Sequence, residues 1–344
     1  MKKQTKIKFL AVFLILGIAI SGFAQTPPSL SDLQNGVADF SEALAKSLPF
    51  NSALGLNWAD AHIGKFFPSL PPHFGVGGSF GITTMELPVI ETLAGYLGYD
   101  FPFGMGKLPL PTYTAEARIG GFFLPFDVGV KYGYLPEVGL WGKDLNLDFL
   151  FVGADIRYAV INNAVLPKLS VGVGFNYLRG GLGAKVGSSD QNIDYPGLSG
   201  TNTIIIERPD INLKWESKSI DFKVQISKSL LIITPYVGVG GTYAWSNAGY
   251  AVDSRITHKS AGGSTTSLTT ADIDEINNYL AQAGLDGVDI DESGLSSIIE
   301  NKDFSLRAFG GLSLNLAIIK IDLTGLYNFR DQNYGASVGL RLQI

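Results

Sequence analysis

The last eleven residues of the chain constrain its fold more than any other segment. From Tyr334 to Ile344, apolar residues occupy every second position, and the positions between them carry small or polar residues. Alternation that is kept over this length is typical of a β-strand with one apolar face and one polar face. The pattern therefore predicts a strand that lies between an apolar environment and a polar one.

The amino terminus has the pattern of a secretory signal peptide. Four lysines lie within the first eight residues, an apolar run from Phe9 to Ala24 follows, and the run ends in Gly22-Phe23-Ala24. A basic start, a short apolar run and small residues before a cleavage point predict a signal peptide over residues 1–24 and a mature chain from about Gln25. An uncleaved membrane anchor is the alternative, but the run is short for a membrane span.

Composition narrows the class of protein. Hydrophobic residues make up 46% of the chain and charged residues 17%. After residue 24 the apolar residues come in short alternating runs, so no transmembrane helix is predicted. Cysteine is absent, which excludes disulfides, thiol nucleophiles and a lipidated cysteine. A net charge of −5 gives no indication of nucleic-acid binding.

Ten segments, the closing one included, show period-two alternation between His73 and the carboxyl terminus. They lie at residues 73–84, 112–123, 126–134, 146–159, 168–179, 211–227, 231–245, 303–316, 319–330 and 334–344. Ten residues at ~3.3 Å each, tilted by about 40°, rise by ~25 Å, which matches the apolar band of a membrane barrel. The sequence therefore predicts an all-β fold, a transmembrane antiparallel β-barrel of about ten strands (range 8–14) over residues 73–344.

The apolar positions in the centres of these segments carry no charge. A Lys or Arg that faces lipid at mid-depth would cost about 2–4 kcal/mol, so this pattern favours a lipid-covered barrel over a soluble sandwich.

Link lengths predict the orientation of this barrel. Short links at residues 124–125, 228–230 and 317–318, and a medium one at 160–167, alternate with long ones at 85–111, 135–145, 180–210 and 246–302. The short final outer loop at 331–333 is the exception. Barrels of outer membranes have short periplasmic turns and longer extracellular loops, so both termini are expected on the periplasmic side. Residues 246–302 are expected to form a polar extracellular loop with a short surface helix between Thr270 and Gly284.

Residues 25–72 predict a helical amino-terminal extension that serves as a periplasmic cap or a plug. Apolar residues recur every three or four positions between Gln25 and Pro49, as in an amphipathic helix. A helix with side chains is ~10–12 Å wide, so we expect it to cap the periplasmic mouth or to lie on the membrane interface. Residues 53–66 are ambiguous; if they join the sheet, the barrel has more strands and a plug has room.

The carboxyl-terminal strand resembles the β-signal that the barrel-assembly machinery reads. Ser337, Gly339, Leu342 and Ile344 fill the fixed positions of that pattern, although its usual last residue is Phe. The chain resembles outer-membrane β-barrel proteins over about residues 73–344. This resemblance implies a place in the cell outer membrane, with lipid and the assembly machinery as partners and with Gly339, Leu342 and Ile344 as the assembly signal.

The helical extension ahead of the strands is similar in layout to fatty-acid-transporter-type barrels, whose amino terminus forms a hatch. The chain departs from that family because it has no Asn-Pro-Ala motif and fewer strands. No substrate residue can therefore be carried over.

The polar faces of the strands carry charges of both signs. The residues predicted to line a pore are Glu116, Arg118, Lys131, Asp155, Arg157, Arg307, Asp322 and Arg341. They would either set the selectivity of a channel or form ion pairs that fill and rigidify a narrow lumen. Many glycines share these inward positions, and we expect them to leave free volume or to ease strand curvature.

These observations favour passive transport of small molecules, hydrophobic ones among them, across the outer membrane. The alternatives are a surface protein that adheres through its extracellular loops, or a structural protein of the membrane. The chain has only three histidines, and no spacing of His, Asp or Glu suggests a metal site. We therefore expect no enzyme activity, catalytic residue, metal or cofactor; the oligomeric state is left open.

Overall fold

Ten antiparallel strands form a closed barrel in the computed structural model of this chain. The structure describes residues 30–63, 73–86, 107–121, 125–140, 145–162, 165–185, 191–197, 200–206, 210–253, 256–259, 265–267 and 295–344. One helix, α1, spans Leu30–Asn51. The strands are β1 (His73–Glu86), β2 (Lys107–Gly120), β3 (Phe126–Leu140), β4 (Leu145–Ile161), β5 (Lys168–Lys185), β6 (Gln191–Gly197), β7 (Gly200–Ile206), β8 (Asp210–Ser227), β9 (Ile233–Asp253), β10 (Ile256–Lys259), β11 (Thr265–Ser267), β12 (Leu295–Leu316), β13 (Ile319–Asn328) and β14 (Tyr334–Gln343).

Neighbours in the barrel follow the order β1-β2-β3-β4-β5-β8-β9-β12-β13-β14, and β14 returns to β1. The closure is made by antiparallel pairing along the whole of β14, from Gly335 opposite Thr83 to Gln343 opposite Gly75. Backbone hydrogen bonds between Phe74 and Ile344 extend it to the last residue. The predicted antiparallel barrel of about ten strands is thus confirmed, and each predicted strand corresponds to a barrel strand.

The two faces of the barrel wall differ as the alternation predicted. On β3, Val128, Val130 and Tyr132 point outward and are 43–52% exposed, whereas Asp127 and Lys131 point inward and are buried. Exposed apolar side chains of this kind recur on every barrel strand. A continuous apolar exterior would aggregate in water and is what the hydrocarbon of a bilayer requires.

Aromatic side chains gather at both rims of this apolar band. Tyr243 contacts Trp245 at one rim, with ring centres 4.7 Å apart, and Phe126 contacts Tyr158 at the other, with ring centres 5.0 Å apart. Such girdles lie at the two membrane–water interfaces of a barrel.

Some barrel strands continue beyond the rim that lies opposite the short turns, and the chain also forms a second sheet. This sheet has the order β11-β10-β7-β6. Residues 246–253 belong to β9 and residues 295–302 to β12, and the two stretches pair with each other. We predicted loops over residues 180–210 and 246–302. This prediction is wrong for the stretches that belong to β5–β12, because the strands keep pairing after they leave the apolar band. The predicted helix between Thr270 and Gly284 lies outside the described residues.

No helix in the described part of the chain is long and apolar enough to cross a membrane. The carboxyl-terminal half of helix α1 lies inside the barrel together with the segment that follows it.

Candidate functional site: the filled lumen

Residues 41–63, here called the plug, occupy the lumen of the barrel. Within α1, Leu44, Ala45 and Leu48 are buried in an apolar cluster with side chains of four strands. These partners are Met85, Phe151, Leu178 and Ala248. The expectation that the helix caps the mouth or lies on the membrane interface is wrong for this part of α1.

We expected the helix to lie outside the lumen because of its width. It fits inside because part of the barrel wall beside it carries small side chains. Ser217 and Ser246 hydrogen-bond to each other at 2.8 Å and are fully buried, and Ser219 accepts or donates at 3.0 Å to Ser52 at the end of α1. Small residues let a helix backbone approach the wall closely. Asn51 adds a bond to Thr83 at 2.9 Å.

After α1 the plug continues to Ile63 without helix or strand. Gly55 turns the chain with a φ of 79°, in the region that favours glycine, and a Cβ there would lie 2.9 Å from Oγ1 of Thr114. Buried backbone groups need partners, and the wall provides them. The ammonium of Lys131 donates to the carbonyls of Ser52 and Leu54 at 2.8 and 2.6 Å.

Trp58 is the largest side chain that the plug presents to the wall. Its Nε1 donates to Oε2 of Glu116 at 2.7 Å. Guanidinium carbons lie over the indole at 4.5 Å for Arg341 and 5.6 Å for Arg118. Cations near an aromatic face are attracted by its quadrupole, and the attraction is strongest where water is excluded. Trp58 therefore joins β2 and β14 through one buried side chain.

Asp60 places a negative charge from the plug between two wall cations. Its Oδ2 lies 2.8 Å from Nζ of Lys320 and 3.0 Å from Nη2 of Arg341. The same Arg341 donates through Nε to Asp322 at 2.6 Å. All four side chains are at most 14% exposed, so each charge is compensated in a site with little water.

Asp127 is the centre of the charged network near the short-turn end of the barrel. Its carboxylate accepts from Arg118 at 2.6 Å and from both Nε and Nη2 of Arg157 at 2.8 Å. The backbone N–H of Ile63 donates to it at 2.8 Å, and Nδ1 of His62 lies 3.2 Å away. The end of the plug is therefore fixed to a carboxylate that two arginines already hold.

Further ion pairs complete the wall. Asp155 pairs with Arg118 at 2.7 Å and with Lys223 at 2.6 Å. Asp221 accepts two hydrogen bonds from Arg307, at 2.5 and 2.8 Å. Bidentate arginine–carboxylate pairs are strong and directional, so these side chains are held in fixed positions across the lumen.

The eight residues predicted to line a pore all point into the lumen and are buried. They are Glu116, Arg118, Lys131, Asp155, Arg157, Arg307, Asp322 and Arg341. Each contacts the plug or another wall residue in the bonds above. The arrangement matches the alternative of ion pairs that fill the lumen, and their role in selectivity stays a prediction.

Six residues of the network are not among the eight predicted to line a pore. The alternation places four of them on the inward face of their strands, which are Asp127, Asp221, Lys223 and Lys320. Trp58 and Asp60 carry no such signal, because residues 52–63 have no period of their own.

Residues predicted as the assembly signal lie on both faces of β14. Leu342 and Ile344 point outward and are 49% and 77% exposed. Gly339 points inward opposite Ser79 and Asp322, and a Cβ added to it would meet no atom closer than 3.7 Å. Their role in assembly stays a prediction.

Inward glycines make room for the plug instead of leaving free volume. A Cβ at Gly75 would lie 2.7 Å from the ring of Trp58, and one at Gly81 would lie 2.9 Å from Cδ2 of Leu54. At Gly120 it would overlap the carbonyl of Ile63. The expectation of free volume is wrong at these positions.

One small cavity lies beside residues 55–58 of the plug. Between the plug and the wall, a cavity of about 20 Å³ is lined by Gly55, Trp58, Glu116 and Arg341 among others. This volume holds about one water molecule. In the described part of the chain, no group of three or more His, Asp or Glu residues could hold a metal ion. Among the described residues, the lumen around α1 is thus filled by an apolar cluster, and the lumen around residues 52–63 holds many hydrogen-bonded and ion-paired side chains.

The chain is similar to one protein family and to several solved structures. A family model described as Lsa36-like matches residues 96–344. No curated protein matches the sequence of the chain. Among solved structures, the outer membrane protease OmpT from Escherichia coli is similar at 12% identity and a TM-score of 0.40, covering 83% of this chain and 100% of OmpT.

Two more similar structures are the translocator domain of the autotransporter NalP from Neisseria meningitidis and the Yersinia pestis attachment invasion locus protein Ail. NalP is 11% identical with a TM-score of 0.30, and the alignment covers 91% of this chain and 98% of that domain. Ail is 10% identical with a TM-score of 0.25, and the alignment covers 79% of this chain and 99% of Ail.

Proposed function

The chain belongs to the Lsa36-like family, and we propose that it is a closed outer-membrane anchor whose extracellular β-structure binds partners at the cell surface. The observation that carries the proposal is the combination of a filled lumen with strands that continue far beyond one aromatic rim. A pore needs a continuous water path, whereas residues 47–63 of the plug run through the lumen with buried side chains, and the cavity beside Trp58 has a volume of only about 20 Å³. The extension, in contrast, presents ordered structure to the outside.

The extension is long enough to stand clear of the membrane. Residues 246–253 follow the rim residue Trp245 on β9, and at ~3.3 Å per residue with a tilt of about 40° they rise about 20 Å further. They pair with β8 on one side and with β12 on the other. Three paired strands hold each other in place, and β10 begins at Ile256, three residues after the end of β9 at Asp253. The extension therefore leads directly into the sheet of β6, β7, β10 and β11, which we propose as a display surface.

The orientation follows from the turns at the opposite end. There β8 and β9 are joined by residues 228–232, and β12 and β13 by Ala317 and Ile318. Short turns face the periplasm in barrels of this class. The extension then lies outside the cell, beyond the lipid, where it is accessible to partners.

Passive passage of small molecules is a second candidate. It is supported by the way in which residues 52–63 are held, since their contacts with Lys131, Gln225 and Ser227 are hydrogen bonds that water could replace. Transport through the lumen would require the plug to move. The conductance measurement at the end of the Discussion tests this candidate.

Attachment assays test the proposal. Cells that display the full chain are compared with cells that display a variant in which residues 191–206 are replaced by a short Gly-Ser turn. This change removes β6 and β7 and leaves all ten barrel strands. We expect binding to immobilised proteins or polysaccharides for the full chain and its loss in the variant.

A folding control accompanies this assay. Both proteins should run as compact species in detergent gels before boiling and shift on boiling. Equal binding by the two correctly folded proteins, or none by the full chain, would count against the proposal.

A further inference from the structure

The plug crosses the lumen from one end of the barrel to the other. At the short-turn end, the N–H of Ile63 donates to Asp127 and the N–H of Ala61 donates to Oγ of Ser227, which is the last residue of β8. At the other end, Leu44 packs against Met85, near the end of β1 that points toward the extension. The chain therefore travels the length of the lumen between Leu44 and Ile63.

Burial decreases along α1 toward its amino end. Residues 47–51 are all buried, whereas from residue 46 toward the amino end buried and exposed side chains alternate around the helix, and Lys46 and Glu42 form a 2.6 Å ion pair whose side chains are about half exposed. Asp39, one turn earlier, is exposed. The helix thus leaves the lumen within the stretch from Lys46 to Asp39.

Beyond Asp39 the helix continues away from the short-turn end. It begins at Leu30, and nine residues of helix at 1.5 Å each extend for ~14 Å. Phe40 packs against the same cluster as Trp215, which lies on β8 above the buried serines of the wall. The amino end of α1 is therefore on the side of the barrel where β9 and β12 extend.

We propose that the chain is threaded through its own barrel, so that the amino end of α1 is presented outside the cell while β1 starts at the periplasmic side. This inference rests on the orientation used in the proposed function. It makes the amino-terminal segment a second displayed element, next to the sheet of β6, β7, β10 and β11. A polypeptide joined to the amino end of α1 would then be held at the cell surface by a packed lumen.

The network of the plug explains how a threaded segment stays in place. Its far end is held by Asp127, its middle by Trp58 and Asp60, and its helix by the apolar cluster of Leu44 and Leu48. These contacts reach strands on opposite sides of the barrel. Withdrawal in either direction would break the buried ion pairs of Asp60 and the packing of Trp58 together.

Single cysteines test the threading, since the natural chain has none. Asp39→Cys reports on the amino side of α1, Ile298→Cys on the extension of β12, where Ile298 is 74% exposed, and Leu231→Cys on a short turn, where Leu231 is 99% exposed. A maleimide that does not cross membranes is applied to intact cells and to cells with a permeabilised outer membrane. All three sites are exposed, so the substitutions should leave the barrel folded.

We expect Asp39→Cys and Ile298→Cys to be labelled on intact cells and Leu231→Cys to be labelled only after permeabilisation. Labelling of Ile298→Cys alone on intact cells would overturn the threading and leave the orientation standing. Labelling of Leu231→Cys alone on intact cells would overturn the orientation and, with it, the proposed function. Heat-dependent gel migration of each variant confirms that the labelled protein is folded.

Discussion

The guanidinium carbon of Arg341 lies 4.5 Å from the centre of the Trp58 ring, which connects the last strand of the barrel to the plug. Trp58 also donates to Glu116 on β2, and β2 and β14 are the two neighbours of β1. The strands on both sides of β1 therefore contact one plug residue. Closure of the barrel between β1 and β14 and seating of the plug should consequently depend on each other.

Replacement of Trp58 tests this coupling. Trp58 is 3% exposed, and truncating a buried Trp to Ala costs about 3–5 kcal/mol. We expect Trp58→Ala to lower the free energy of unfolding by about that amount, measured as a shift of the urea midpoint for protein in lipid vesicles. Trp58→Phe keeps a ring beside Arg341 but removes the donor to Glu116, so a smaller loss of about 1–3 kcal/mol is expected.

Trp245→Phe is the matched control, because Trp245 lies on the outer rim and is 39% exposed. It should change the midpoint much less than Trp58→Ala. Equal effects of the two substitutions would show that Trp58 does not connect the plug to the wall.

Removal of the charge on Asp127 should destabilise the short-turn end of the barrel. Asp127→Asn leaves Arg118 and Arg157 without their shared carboxylate, and breaking a buried ion pair in this way costs about 3–5 kcal/mol. The measurement is again the urea midpoint.

As a control, Glu216→Gln removes a carboxylate that pairs with Lys218 on the exposed face of β8. Solvent screens this pair, so little change is expected. A stability of Asp127→Asn equal to that of the unmodified protein would contradict the role given to Asp127.

A side chain at Gly75 should displace the plug. A Cβ there would lie 2.7 Å from the Trp58 ring, closer than real contacts allow. We expect Gly75→Val to cost about 1–3 kcal/mol, as overpacking does, and to increase proteolysis between residues 52 and 63 in detergent-solubilised protein.

Gly325 offers a matched position on the lipid-facing side, where a Cβ would meet no atom closer than 3.9 Å. Gly325→Ala should leave both the midpoint and the proteolytic pattern unchanged. If Gly75→Val behaves in the same way, the inward glycines do not serve to make room for the plug.

Gly339→Ala separates assembly from stability. A methyl group at Gly339 has space in the folded barrel, with the nearest atoms 3.7 Å away. The purified variant should therefore unfold at the same urea concentration as the unmodified protein. If the β-signal reading is correct, the amount of barrel assembled in cells should fall several-fold. Unchanged assembly in cells would remove Gly339 from the signal.

The barrel was predictable from the sequence because lipid on one side and a polar lumen on the other make apolar and polar residues alternate with a period of two. Lipid outside and a polar interior force residues such as Val128 and Lys131 onto opposite faces, and the alternation extends over every strand. The closing strand is the clearest case, since Tyr334 to Ile344 alternates without interruption.

The plug could not be predicted in the same way. Residues 52–63 satisfy their backbone through side chains of distant strands, among them Lys131 and Gln225, so they carry no local pattern. The pattern of a single strand shows only that small wall residues such as Ser219 face inward, and it does not show that a helix packs beside them. Their role depends on which plug residue lies next to them in the lumen.

The second sheet escaped prediction for a related reason. Residues 191–206 show no clear alternation of apolar and polar positions, and Ile204, Ile205 and Ile206 are consecutive, so the pattern that marks the barrel strands is not present there. Pairing of β6 with β7 and of β7 with β10 is then specified by backbone hydrogen bonds and by tertiary context.

The closed lumen is the central claim, and the conductance of the purified full chain in a planar bilayer tests it most directly. A variant that lacks residues 30–63 provides the conductance of a barrel without the plug. If this variant does not fold, a double variant with Trp58→Ala and Asp60→Ala replaces it. The account predicts no lasting current steps for the full chain at about 100 mV, a voltage that supplies only ~2.3 kcal/mol per charge, and open steps for the variant. Stable open steps from the full chain, as large as those of the variant, would contradict the account.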